Sequence, residues 1–152
     1  MRLIKMIIIT SFFFTVFHLS GQEVDYNKKN NEVRIDGVYS FKIIKHGCGF
    51  EPDCYFDIYD KDEVKVLKIV YKSFKSPVEI SQSNPEGIVR YSQFIFLETE
   101  KIAEIGAVWM KEKKIAAYIA KNSLFKNGKL DEATVHEFVL MKATPYSDRI
   151  KF

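Results

Sequence analysis

The sequence predicts an α+β fold: a largely antiparallel sheet of about four to five strands over residues ~35–98, packed against C-terminal helices over residues ~99–141. Three observations carry this reading. Alternating runs rich in aromatic and β-branched residues extend from Gly37 to Glu98. Good helix formers take over at Thr99. Strands therefore come as a block ahead of helices, which argues against βαβ units and a doubly wound nucleotide-binding fold.

The chain opens with "MRLIKMIIITSFFFTVFHLSG", in which Arg2 and Lys5 precede an apolar run from Met6 to Leu19 and the small residues Ser20 and Gly21. That run is about 14 residues long, and a spanning helix needs roughly 20. We therefore expect residues 1–21 to be a bacterial-type signal peptide, cleaved before Gln22 rather than kept as an anchor, and the protein to be exported to the periplasm or the medium. No cysteine follows the run directly, so no lipid anchor is expected there. The mature chain then has no transmembrane helix. Residues 22–34 read as a flexible polar lead, and residues 35–152 as a single α+β domain.

In "GVYSFKIIK" Tyr39, Phe41 and Ile43 fall on one side, Ser40 and Lys42 on the other, which predicts a strand. Cys54, Phe56 and Ile58 alternate with Tyr55, Asp57 and Tyr59, and a turn at Asp60 to Glu63 leads into "VKVLKIVYKSF". These two runs make an antiparallel hairpin. Its second arm carries apolar residues at both parities, so either both faces are covered or a bulge changes the phase. After "VEIS" and the turn residues Asn84, Pro85 and Gly87, "IVRYSQFIFLE" predicts the next strand.

From Thr99, a suitable N-cap, Ile102, Ile105 and Trp109 stand at helical spacing, and Ile115 and Ile119 repeat the pattern after "KEKK". One helix ending at Asn122 and Ser123, or two separated near Met110 to Lys114, both fit; Glu112 on the apolar arc of a continuous helix favours the break. Asn127-Gly128 predicts a turn, and Asp131 caps a helix burying Val135, Phe138 and Val139, with a strand over 137–142 as the alternative.

Both cysteines stand in "HGCGFEPDC". In an exported chain, Cys48 and Cys54 are expected to form a disulfide. Closing so short a loop removes about 2.4 kcal/mol of unfolded-chain entropy. Gly47, Gly49 and Pro52 suit the tight loop. Zinc at His46, Cys48, Cys54 and Asp53 lacks a second ligand pair at the usual spacing, and a thioredoxin-like site would need C-x-x-C before a helix.

Composition and motifs narrow the function. The leader holds two of the 23 Lys and Arg and none of the 20 Asp and Glu, which leaves the mature part at a net charge of +1. A nearly neutral chain with interleaved charges gives nucleic acid no basic stripe to follow, and no nucleic-acid partner is expected. The sequence contains no G-x-S-x-G, no H-E-x-x-H and no phosphate-binding glycine loop, so no catalytic residue, cofactor or metal is assigned. The acidic group Asp57, Asp60, Asp62 and Glu63 lacks the pattern of a calcium loop and reads as a solvated turn.

Two function classes remain. The first is a small exported, non-catalytic binding module whose partner is a protein, glycan or small molecule. Its contact residues would be His46, Tyr55, Tyr59, Tyr71 and Tyr91, crowded on the sheet face that helices leave open. The second is a small envelope hydrolase that uses His46 or His136 with a nearby carboxylate.

Overall fold

Seven strands follow one another in space in the same order as in sequence, each antiparallel to the next. They are β1 (Val24–Asn27), β2 (Glu32–Ile35), β3 (Val38–His46), β4 (Tyr55–Tyr59), β5 (Lys65–Lys75), β6 (Ile88–Phe96) and β7 (Lys101–Ile105). Helix α1 (Glu112–Lys121), a small hairpin of β8 (Phe125–Lys126) and β9 (Lys129–Leu130), and helix α2 (Glu132–Lys142) follow. The computed structural model describes residues 22–47, 54–106, 111–142 and 146. The leader, Cys48 with its loop to Asp53, and Trp109 lie outside the described residues.

The α+β class stands, with helices at the C-terminal end, but the sheet is larger than the four to five strands expected. Residues 22–34, expected as a flexible lead, hold β1 and most of β2. Val33 of β2 is fully buried, and Asp36 and Gly37, both at positive φ, close a two-residue turn to β3. Two positive φ values in a row match the twist of adjoining strands, which is why Asp-Gly favours such hairpins. Asn127 and Gly128 close the β8–β9 hairpin in the same way, as their sequence predicts.

The second correction is β7. Residues 101–105 form a strand on the edge of β6, not the first half of a helix, and Thr99 sits in the connecting turn rather than at a helix cap. Lys, Ala and Glu are only weakly biased toward helix, and here pairing to β6 outweighs that bias. Ala103 fits opposite Phe94, while Ile102 turns outward with nearly half of its surface exposed. The helical pattern resumes at α1 and ends at Asn122, whose N–H donates to the Tyr118 carbonyl.

Two bulges set the phase of the sheet. Register shifts by one residue between Val33 and Arg34, which leaves Ser40 as an extra, buried residue in β3 and places Tyr39 opposite Arg34. Tyr39 is thereby out of phase with Phe41 and Ile43, contrary to simple alternation. A second shift between Ile58 and Tyr59 leaves Val66 as the extra residue of β5, so Val66 and Leu67 are both buried. This is the change of phase that the irregular second arm of the hairpin suggests.

The core lies between the sheet and the helices. Phe41, Ile43, Phe56, Ile58, Leu67 and Phe96 are fully or almost fully buried, and Ile115 and Ile119 of α1 and Val135 and Phe138 of α2 close over the same face. The Phe138 ring stands 5.8 Å from Phe94 and 5.9 Å from Phe96, and Phe125 lies 4.6 Å from Phe41. Each such side chain contributes about 1.5–3 kcal/mol on burial. Asp131 starts α2 by accepting the Thr134 N–H at 3.0 Å, and residues 137–142 are helical.

Candidate functional site at the open sheet face

Both helices pack on one face of the sheet, and no described helix covers the other. Alternation along β3 to β7 sends the side chains between the core positions to that open face, where they line up in rows across the strands. One row reads Ile44, Asp57, Lys68, Ile95 and Ile102, and its neighbour reads His46, Tyr55, Val70, Gln93 and Glu104. Tyr59 lies beside Lys42 and Lys65.

Asp57 is the centre of this surface. Its side chain is 8% exposed, and its Oδ2 faces His46 Nε2 at 3.3 Å and Lys65 Nζ at 3.6 Å. Oδ1 is buried without a hydrogen-bond partner among the described residues. A buried carboxylate oxygen in that state is costly, since desolvation is not compensated. His46 stacks on Tyr55 with ring centroids 4.6 Å apart, and Lys68 Nζ stands 4.1 Å from the centre of the Tyr55 ring. A carboxylate, an imidazole and two ammonium groups are thus held by adjacent strands, in register, on a partly apolar ground.

The sequence groups His46 with Tyr55, Tyr59, Tyr71 and Tyr91; the sheet brings only part of this set together. His46, Tyr55 and Tyr59 share the open face and are partly exposed. Tyr71 pairs with Ser92 in the phase of Ile69 and Phe94, packs against the core and belongs to the helix side. Tyr91 has open-face phase but is 2% exposed: Tyr146 stacks on its ring at 5.4 Å and Phe74 meets it edge-on at 6.2 Å. Burial, with Glu104 near, pushes the Tyr91 phenol above its ordinary pKa. The second shift of register, at Val66, is what aligns Lys65 with Tyr59.

His136 stands on the exposed side of α2, its Nδ1 3.0 Å from Lys101 Nζ, so His46 and His136 serve different surfaces. Asp60 Oδ1 accepts the N–H groups of Asp62 and Val64, and Asp62 pairs with Lys129 at 2.6 Å. These acids hold the β4–β5 turn and its contact with the β8–β9 hairpin. Among the described residues no three His, Cys, Asp or Glu side chains gather as a metal site, and no helix is long and apolar enough to cross a membrane.

Sequence reasoning missed Asp57, Lys65 and Lys68 as neighbours of His46. The signal was the alternation of β4, which puts Asp57 between Tyr55 and Tyr59 on one face. Compared with known families, curated proteins and solved structures, the chain matches none.

Proposed function

We propose that this chain is a small exported, non-catalytic binding module that meets its partner through the open face of the sheet. One observation carries the reading: the row Ile44, Asp57, Lys68, Ile95 and Ile102 sets an under-satisfied buried carboxylate among apolar side chains on a face without a described helix. A face meant only for water has no reason to retain such a group, whereas departures from local stability rules concentrate at functional surfaces. The tyrosines add amphipathic contact area, and Lys65, Lys68 and Lys72 give the surface donors for a protein or glycan partner.

Export rests on the leader, and β1 begins at Val24, two residues after the expected cleavage point. The Cys48–Cys54 disulfide is part of the same proposal. In its favour, Cys54 is 2% exposed, no cysteine among the described residues is free, and the chain offers Cys54 one partner. The bond would brace the loop that joins His46 to Tyr55, at the edge of the contact surface.

The test is capture of partners from the host envelope with the wild-type chain, with Tyr59→Asp and Val70→Asp on the open face, and with Leu140→Asp on the helix side. The reading expects a partner retained by wild type and by Leu140→Asp and lost by the two open-face variants. Equal retention by all four would remove the open face as the contact surface.

The His46–Asp57 contact favours a second reading, a small hydrolase in which Asp57 orients the imidazole. Hydrolysis of an ester, amide or glycoside by the wild type, abolished in His46→Ala with folding intact, would support it over the module.

A further inference from the structure

We propose that Gln22 becomes the N-terminal residue and closes on itself to pyroglutamate, a modification that rests on the processing proposed above. The conversion needs three things: a free α-amine, an unengaged carboxamide in the same residue, and an exposed setting. Cleavage before Gln22 supplies the first. A backbone amine with a pKa of about 8 is partly unprotonated near neutral pH and is then a nucleophile.

The structure supplies the other two. Gln22 is exposed, and its side-chain amide takes part in no hydrogen bond among the described residues. It lines a shallow cleft of about 430 Å³ with Val24, Ala117, Ala120 and Lys121, where a compact ring has room. The next residue is fixed: the Glu23 N–H donates to Asp36 Oδ1 at 2.9 Å, and the Glu23 carbonyl accepts the Asp36 N–H at 2.8 Å. With Glu23 fixed, closure needs only rotation within Gln22 itself. Amine and carboxamide of one residue meet at high effective concentration, so ring closure competes with exposure to aminopeptidases.

The step balances without a co-reactant. The α-nitrogen bonds to the side-chain carbonyl carbon, the C–N bond of the carboxamide breaks, and ammonia leaves with the proton given up by the amine. The product is a neutral five-membered lactam. It removes the positive charge of the N-terminus and leaves the Glu23–Asp36 pair intact.

The experiment is intact-mass and N-terminal peptide analysis of the protein recovered from the host envelope and medium, with Gln22→Ala as comparison. The inference expects a wild-type chain that starts at Gln22, is lighter by one ammonia and resists aminopeptidase, while Gln22→Ala keeps a free amine and its full calculated mass. A chain that starts at Gln22 with a free amine and full mass would overturn the inference and leave the processing reading in place. A chain that starts elsewhere would overturn both.

Discussion

Asp57 on β4 and His46 on β3 meet across the open face with Oδ2 and Nε2 3.3 Å apart, while the other oxygen of the same carboxylate is buried with no hydrogen-bond partner among the described residues. The pair therefore has an unusual sign. Removing His46 takes a partner from a buried acid, but removing the acid removes the group that is poorly solvated. Replacing an incompletely paired buried charge by an apolar side chain is often neutral or stabilising. We predict that Asp57→Val leaves stability unchanged or raises it by up to about 2 kcal/mol, whereas His46→Ala lowers it by about 1 kcal/mol. Urea unfolding of the two variants checks this; a loss above about 2 kcal/mol in Asp57→Val would show that the carboxylate is structural.

Tyr59 and Tyr71 separate surface from core. Tyr71→Ala empties space packed against the core cluster and is expected to cost about 2–4 kcal/mol. Tyr59→Ala opens no core space and should cost under about 1 kcal/mol. Partner binding should fall in Tyr59→Ala at near-native stability. Thermal unfolding and binding, measured on the same samples, distinguish the two effects.

The acid limb of stability contains a contribution from Asp131. The Thr134 hydroxyl and N–H bond its carboxylate and hold its pKa below the ordinary value. A lowered folded pKa means that the stabilisation is fully present above the unfolded value and is lost as pH falls through the folded one. Asp131→Asn, which still caps but does not titrate, should flatten that part of the acid-side decline; Asp131→Ala should be less stable already at neutral pH. Urea midpoints followed from pH 7 down to about pH 2 would show the two behaviours.

Cys48→Ser is the cleaner probe of the proposed disulfide, because Cys54 is 2% exposed and a serine there would bury a hydroxyl. Loss of so short a closed loop is expected to cost about 2 kcal/mol. Reduction of the wild-type protein should shift its urea midpoint toward that of Cys48→Ser. An unchanged midpoint in both would show that the cysteines are not bonded in the native protein.

The sheet-then-helix order, the β4–β5 hairpin and the Asp131 cap were legible because each rests on local chemistry: period two, turn residues and a capping carboxylate. The Asp36-Gly37 pair was equally local and points to the β2–β3 hairpin, yet the polar residues around β1 and β2 obscured it. Strand β7 was not legible, since "KIAEI" suits a helix until β6 offers its unpaired edge. The bulge at Ser40 lies next to Phe41, which packs against Phe125, 84 positions away in sequence, and no local pattern signals it. For the site, period two was enough to place Tyr55, Asp57 and Tyr59 on one face. That Tyr71 lies on the other face depends on the register between β4 and β5, with the shift at Val66, and on which face the helices cover.

The central claim is that the open face is the contact surface. Its most direct test is a photo-crosslinking residue placed singly at Tyr59, Val70 or Leu140 in the chain expressed in its own host. The account predicts a shared partner adduct from Tyr59 and Val70 and none from Leu140. An adduct from Leu140 alone, or no adduct from either open-face position, would contradict it.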